Sequence, residues 1–151
     1  MLRILVVCTA NICRSPLAAA ILATKLPPDA VLVSSAGVRA LSGNPADPTI
    51  IELARERGYG DLGGHRSQPL LALTLNQVDL VLCMESAHRD RLLRERPTMT
   101  GRIRLFADQP PTDVADPTGR TREDYLACLA LLEAAATQWP ARLRQVGLLG
   151  P

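Results

Sequence analysis

Aromatic residues are scarce in this chain: one Trp, two Tyr and one Phe among 151 residues. A core must then be built from Leu, Val, Ile and Ala, which a hydrophobic content of 47% can supply. No apolar run is long enough to span a bilayer, so membrane insertion is not expected. The opening MLRILVVC resembles a signal peptide only briefly, because Thr9, Asn11 and Arg14 interrupt it. A surplus of charge is also missing. The net charge of +2, mostly from arginine, is too small to argue for nucleic acid. Cys8, Cys13, Cys83 and Cys128 lack metal-ligand spacing and form no framework of a small secreted domain. No metal or other cofactor is expected, and a reduced cytoplasmic setting fits. Repeats, linkers and low-complexity tracts are absent. The length predicts one domain over residues 1–151, a monomer or weak oligomer with a core of its own.

Strand and helix patterns alternate along the chain. Strands are predicted over Arg3–Cys8, Ala30–Ser35, Val78–Met84 and Arg102–Phe106. A helix over Ser15–Lys25 takes Ser15 as N-cap and Pro16 at its first position, and Pro27-Pro28 stops it. Asp47-Pro48 opens a second helix that ends at Gly58, and a short helix falls within Pro69–Asn76. Glu85–Arg96 is a polar helix on which His88 is read as solvated. Ala107–Thr121 is a long proline-bearing loop, and the last helix, Arg122–Val146, is expected to kink or end near Pro140. Near-continuous apolar strands between helices indicate an α/β fold, a four-stranded parallel sheet with helices on both faces. Ligands of such sheets bind beyond the carboxyl ends of the strands.

Cys8 lies at such an end, in VVCTANICRSP, facing the start of a helix. Unpaired N–H groups and the helix dipole there favour an anion, and they favour thiolate over thiol. Arg14 adds a planar fork suited to a phosphate or similar oxyanion. Nucleophile and oxyanion cradle thus share one loop. The spacing of Cys and Arg alone is weak, arising by chance roughly once in twenty. Displacing a phenolate or alkoxide from phosphorus also needs a proton donor, and the long loop offers Asp108, Asp113 and Asp116. Asp116 precedes Pro117, which restricts its backbone and stiffens its aim.

The full string Cys8-Thr9-Ala10-Asn11-Ile12-Cys13-Arg14-Ser15-Pro16, directly after a strand, resembles the phosphate-binding loop of the low-molecular-weight protein tyrosine phosphatases. Its pattern there is V-C-x-G-N-x-C-R-S-P. Ala10 stands where that family has Gly, so a left-handed backbone at this position would add strain. Ser34-Ser35-Ala36-Gly37, Gly43-Asn44-Pro45-Ala46-Asp47-Pro48, Gly64-His65-Arg66-Ser67 and Asp79-Leu80-Val81-Leu82-Cys83-Met84 follow in the family's order. The resemblance implies a phosphatase with no metal requirement. Cys8 is its nucleophile, Arg14 its phosphate ligand and Asp116 its general acid, with Asp113 the weaker candidate. A supporting network of Asn11, Ser35 and His65 is implied, with Ser15 donating to the thiolate.

Ile12 and Leu41 are expected to line the ring-binding rim; the family often has aromatic residues at the positions held here by Leu41 and, after Asp-Pro, by Thr118 and Gly119. The loop VRALSGNPADP most resembles bacterial enzymes that act beside autophosphorylating tyrosine kinases in capsule and exopolysaccharide export. The implied partner is therefore a phosphotyrosine protein, a bacterial tyrosine kinase. Cys13 is expected to capture oxidised Cys8 as a reversible disulfide. Three other readings exist. A thiol-dependent arsenate reductase would need two further thiols in relay, and Cys83 and Cys128 lie in a strand interior and on the last helix. An arginine phosphatase carries Thr where Ile12 stands. A non-catalytic phosphotyrosine-binding module would need neither Cys8 nor Asp116.

Overall fold

A computed structural model describes residues 1–151. Strand β1 (Leu2–Cys8) is central, and Ile4 through Cys8 are wholly buried. It pairs in parallel with β2 (Val31–Gly37) on one side and β3 (Leu80–Cys83) on the other, and β4 (Ile103–Leu105) pairs in parallel with β3. The order β2-β1-β3-β4 is that of a four-stranded parallel sheet. Crossovers are made by helices α1 (Arg14–Ala23), α2 (Pro48–Glu56), α3 (Ala72–Leu75) and α4 (Ser86–Glu95), and α5 (Arg122–Gln145) closes the fold.

Alternate residues of the strands point to opposite faces, and each face has its own core. Ile4, Val6, Leu80 and Leu82 pack with Leu17 and Ile21 of α1, Ile50 and Leu53 of α2, and Leu129 and Leu132 of α5. Leu5, Val7, Val81 and Cys83 pack on Leu75 of α3 and Leu92 of α4. Each fully buried leucine contributes about 1.5–3 kcal/mol. The few aromatic residues tie elements together. The Trp139 indole N–H donates to the Phe106 carbonyl at 2.8 Å, and the Tyr125 hydroxyl donates to Asp47 Oδ2 at 2.6 Å.

Several expectations are corrected. β2 runs on to Gly37, because its amides and carbonyls stay paired with β1 as far as Cys8. The loop after β4 contains a small antiparallel pair, β5 (Ala107–Asp108) with β6 (Pro111–Thr112). α5 continues unbroken through Pro140, held on both sides of it by the buried residues Trp139 and Leu143. Ser15 is not the N-cap of α1. Cys13 occupies that position without a side-chain cap, because α1 begins at Arg14 and Ser15 lies inside its first turn. Asp47 does cap α2, accepting from Thr49 N–H at 2.8 Å.

Candidate active site

The carboxyl end of β1 delivers Cys8 into a loop that closes back on the sulfur. Asn11 N–H points at Cys8 Sγ from 3.3 Å, and Ser15 Oγ lies 2.9 Å from it. Ser15 Oγ already accepts from Asn11 Nδ2 at 2.8 Å, which leaves its own proton free for the sulfur. Asn11 is the keystone of this loop. Its φ of 59° places it in the left-handed region, which Asn tolerates better than most residues. The strain this costs, about 1–3 kcal/mol, is offset by its hydrogen bonds. Nδ2 also donates to Ser35 Oγ at 2.9 Å, and Oδ1 accepts from Gln68 N–H at 3.0 Å. The Asn11 carbonyl accepts from the His65 ring at 2.7 Å.

Asn11, Ser15, Ser35 and His65 are thus brought together, and His65 is not an idle loop histidine. Gln68 was missed by the sequence reading. It stands one residue past the Gly64–Ser67 motif; its main-chain N–H donates to Asn11 and its side-chain Nε2 donates to the Ser35 carbonyl at 2.7 Å, pairings across 57 and 33 positions that no local motif marks. The strain expected at Ala10 does not arise, because the left-handed residue is its neighbour Asn11. Gly37 is required for a different reason. A Cβ there would lie 2.5 Å from the Thr9 carbonyl oxygen and 3.0 Å from the Asn11 nitrogen, both main-chain atoms of the loop.

Arg14, the first residue of α1, is only 2% exposed. Its Nη1 donates to Glu85 Oε2 at 2.7 Å and to the Val114 carbonyl at 2.8 Å, and Nη2 lies 3.4 Å from Thr9 Oγ1. Burial works against its charge, but the hydrogen bond to Glu85 and the surrounding acidic groups outweigh it and raise its pKa. The guanidinium is therefore a fixed cation at the loop, a donor set suited to a planar oxyanion.

The three aspartates of the long loop separate by their partners. Asp108 is buried, bonded to Arg104 at 3.0 Å and Arg142 at 2.9 Å. Asp113 accepts from Ser86 N–H at 2.9 Å at the start of α4. Asp116 is half exposed and stands 4.0 Å from Arg14 Nη2 through Oδ2, while Thr118 occupies Oδ1 through its N–H at 3.0 Å and its hydroxyl at 2.7 Å. It alone combines solvent access with proximity to Arg14.

Ile12 is half-buried against the core, and Leu41 is 73% exposed, offering an apolar surface to whatever approaches. Cys13 is buried, and its thiol is pushed far above the ordinary range. Burial is the main cause and the nearby Cys128 adds to it, against a hydrogen bond with Thr118. Cys83 and Cys128 are buried too, pushed up to about 12 and about 11 by desolvation. All four cysteines are free. No group of His, Cys, Asp or Glu side chains is arranged to hold a metal ion, and no helix is long and apolar enough to cross a membrane. The expectation that His88 is solvated is overturned: it is 8% exposed and its ring lies 3.0 Å from Thr9 Oγ1, because α4 turns this residue toward the loop.

The profile of the family described as low molecular weight phosphotyrosine protein phosphatase matches residues 3–147. The low molecular weight protein-tyrosine-phosphatase Wzb of Escherichia coli is 40% identical over 141 residues, covering 93% of this chain and 94% of Wzb. Among solved structures, Vibrio vulnificus Wzb in complex with benzylphosphonate superposes with a TM-score of 0.86 at 36% identity, covering 94% of this chain and 99% of its own. The YwlE arginine phosphatase of Geobacillus stearothermophilus superposes with a TM-score of 0.87 at 34% identity, covering 98% and 96%.

Proposed function

The chain belongs to the low molecular weight phosphotyrosine protein phosphatase family, and we propose that it hydrolyses protein phosphotyrosine through a phosphocysteine on Cys8. The observation that carries this reading is the convergence of Cys8, Arg14 and Asp116 around one loop at the end of β1. Cys8 attacks phosphorus along the side opposite the leaving oxygen, and Arg14 together with the loop N–H groups holds the phosphoryl oxygens. Asp116 gives its proton to the departing phenolate, then takes one from the water that opens the phosphocysteine. Neither half-reaction calls for a metal, so EDTA leaves the rate unchanged. Residues 1–151 act as one phosphatase domain. Under oxidation Cys13 condenses with a sulfenic acid on Cys8, forming a disulfide and releasing water.

Ile12 and Leu41 supply the apolar wall for a tyrosyl ring. The physiological substrate is then a tyrosine kinase that governs polysaccharide export, and the enzyme is its cytoplasmic off-switch. Likeness to E. coli Wzb and the loop carrying Leu41 support this. The fold likeness to an arginine phosphatase brings forward a second reading, in which the leaving group is a guanidine nitrogen. Apolar Ile12, which offers no hydroxyl to such a group, favours phosphotyrosine. The test is kcat/KM on phosphotyrosine, phosphoserine and phosphoarginine peptides, with EDTA present. Phosphotyrosine turnover should dominate by at least an order of magnitude. Comparable efficiency on phosphoarginine would overturn the assignment.

A further inference from the structure

His88 has no part in the chemistry above, yet it is built into the support of the phosphate loop. Its Nε2 lies 3.0 Å from Thr9 Oγ1 and 3.6 Å from Glu85 Oε2. Its Nδ1 is buried without any hydrogen-bond partner. A buried N–H with no acceptor is costlier than a bare lone pair, so the single ring proton belongs on Nε2, where it donates to Thr9. Thr9 Oγ1 then has two donors aimed at it, His88 Nε2–H and Arg14 Nη2–H at 3.4 Å. With both lone pairs occupied, the Thr9 hydroxyl proton is left to donate, one residue after the nucleophile. Glu85, the other neighbour of Nε2, is the carboxylate that grips Arg14 Nη1 at 2.7 Å. A histidine that served only to fill space would have no reason to meet two groups that each touch Arg14.

We propose that His88 is a positioning residue for the phosphate site: as a neutral Nε2–H imidazole it fixes the Thr9 hydroxyl and, with Glu85, the plane of the Arg14 guanidinium. This rests on the phosphatase reading only in taking the Cys8 loop as the phosphate site. The charges facing His88 agree with a neutral ring. Burial is the largest influence and lowers its pKa; Arg14 and Arg91 lower it further, while Glu85 and Asp113 pull the other way. A second cation beside Arg14 would also leave a charged, orphaned donor at Nδ1.

The test is calorimetric binding of inorganic phosphate to the full chain at neutral pH, beside kcat/KM for a small aryl phosphate and the melting temperature. His88→Gln keeps an N–H at the distance of Nε2, and His88→Ala removes it. His88→Ala should weaken phosphate binding about tenfold, the effect of one positioned hydrogen bond, while His88→Gln stays within about threefold of wild type. Thr9→Val removes the acceptor, so His88→Ala combined with Thr9→Val should bind no more weakly than the worse single variant. Equal losses in the Gln and Ala variants, or additive losses in the double variant, would reduce His88 to packing. The ring's own 15N–1H pattern in the wild type gives an answer even if His88→Ala does not fold. It should show the Nε2–H tautomer, and the Nδ1–H tautomer or a cation at neutral pH would overturn the proposal. Failure of wild type to bind phosphate at all would sink the phosphatase reading instead, and the ring spectrum would still judge His88.

Discussion

Asn11 concentrates more of the site than any other single residue. One side chain and its backbone organise Cys8, Ser15, Ser35, His65 and Gln68. Because the left-handed backbone is at Asn11 and not Ala10, the family's Gly is not needed for conformation here. Ala10→Gly should therefore leave kcat/KM within about twofold and lower stability by about 0.4–1 kcal/mol, through the greater freedom of the unfolded chain. A large gain in turnover measured beside a melting curve would show that the Ala10 methyl does constrain the site. Asp116 carries a different prediction. Asp116→Asn cannot donate a proton, and kcat should fall about a hundredfold or more for an aryl phosphate with a poor leaving group. An activated leaving group needs less help, so its loss should be smaller. Equal losses on the two substrates, or a larger effect from Asp113→Asn, would reassign the acid, although Asp113 is occupied at the start of α4.

Among the elements, β5 and α5 are joined by a buried carboxylate. Asp108 has 5% of its side chain exposed and is held by Arg142 and Arg104. Burial, the largest single influence, opposes its ionisation, but the two arginines and the Leu105 N–H together lower its pKa below the usual value. A carboxylate with a depressed folded pKa adds stability that is complete above its unfolded pKa of about 3.9 and is lost as pH falls through the folded value. Asp108→Asn should lower unfolding free energy by about 1–3 kcal/mol at neutral pH, with Arg104 giving the smaller part because it is 42% exposed. In urea titrations the gap between the two proteins should begin to narrow below about pH 4 and close once pH has fallen through the lower, folded pKa of Asp108. A gap that persisted there would assign the loss to packing. The same tie helps explain why α5 runs past Pro140, since Arg142 lies beyond the proline and is drawn to Asp108.

At the scale of the whole molecule, the sheet and the Cys8 loop were legible because they depend on local pattern. Apolar runs bounded by turn residues mark β1 and β3, and Cys8 through Pro16 form one uninterrupted motif. What was not legible depends on long-range placement. His88 lies on a helix whose residues are mostly polar, and only the docking of α4 against the sheet turns it toward Thr9, a residue 79 positions away. Gln68 reaches Asn11 with its main chain and Ser35 with its side chain, 57 and 33 positions away, and the Arg14–Glu85 pair joins residues 71 positions apart. The sequence assigns Ser15 both a capping and a network role. Capping fails because α1 starts one residue earlier, at Arg14, and the hydroxyl is left to the sulfur and the Asn11 amide.

The central claim is that phosphorus passes through Cys8. It is tested most directly by rapid acid quench of the wild-type chain with a 32P-labelled aryl phosphate, followed by peptide mapping of the trapped label. The label should appear on the peptide carrying Cys8 during turnover. Cys8→Ser should carry none and turn over nothing, while still binding inorganic phosphate. Label on another residue, or substantial turnover by Cys8→Ser, would contradict it.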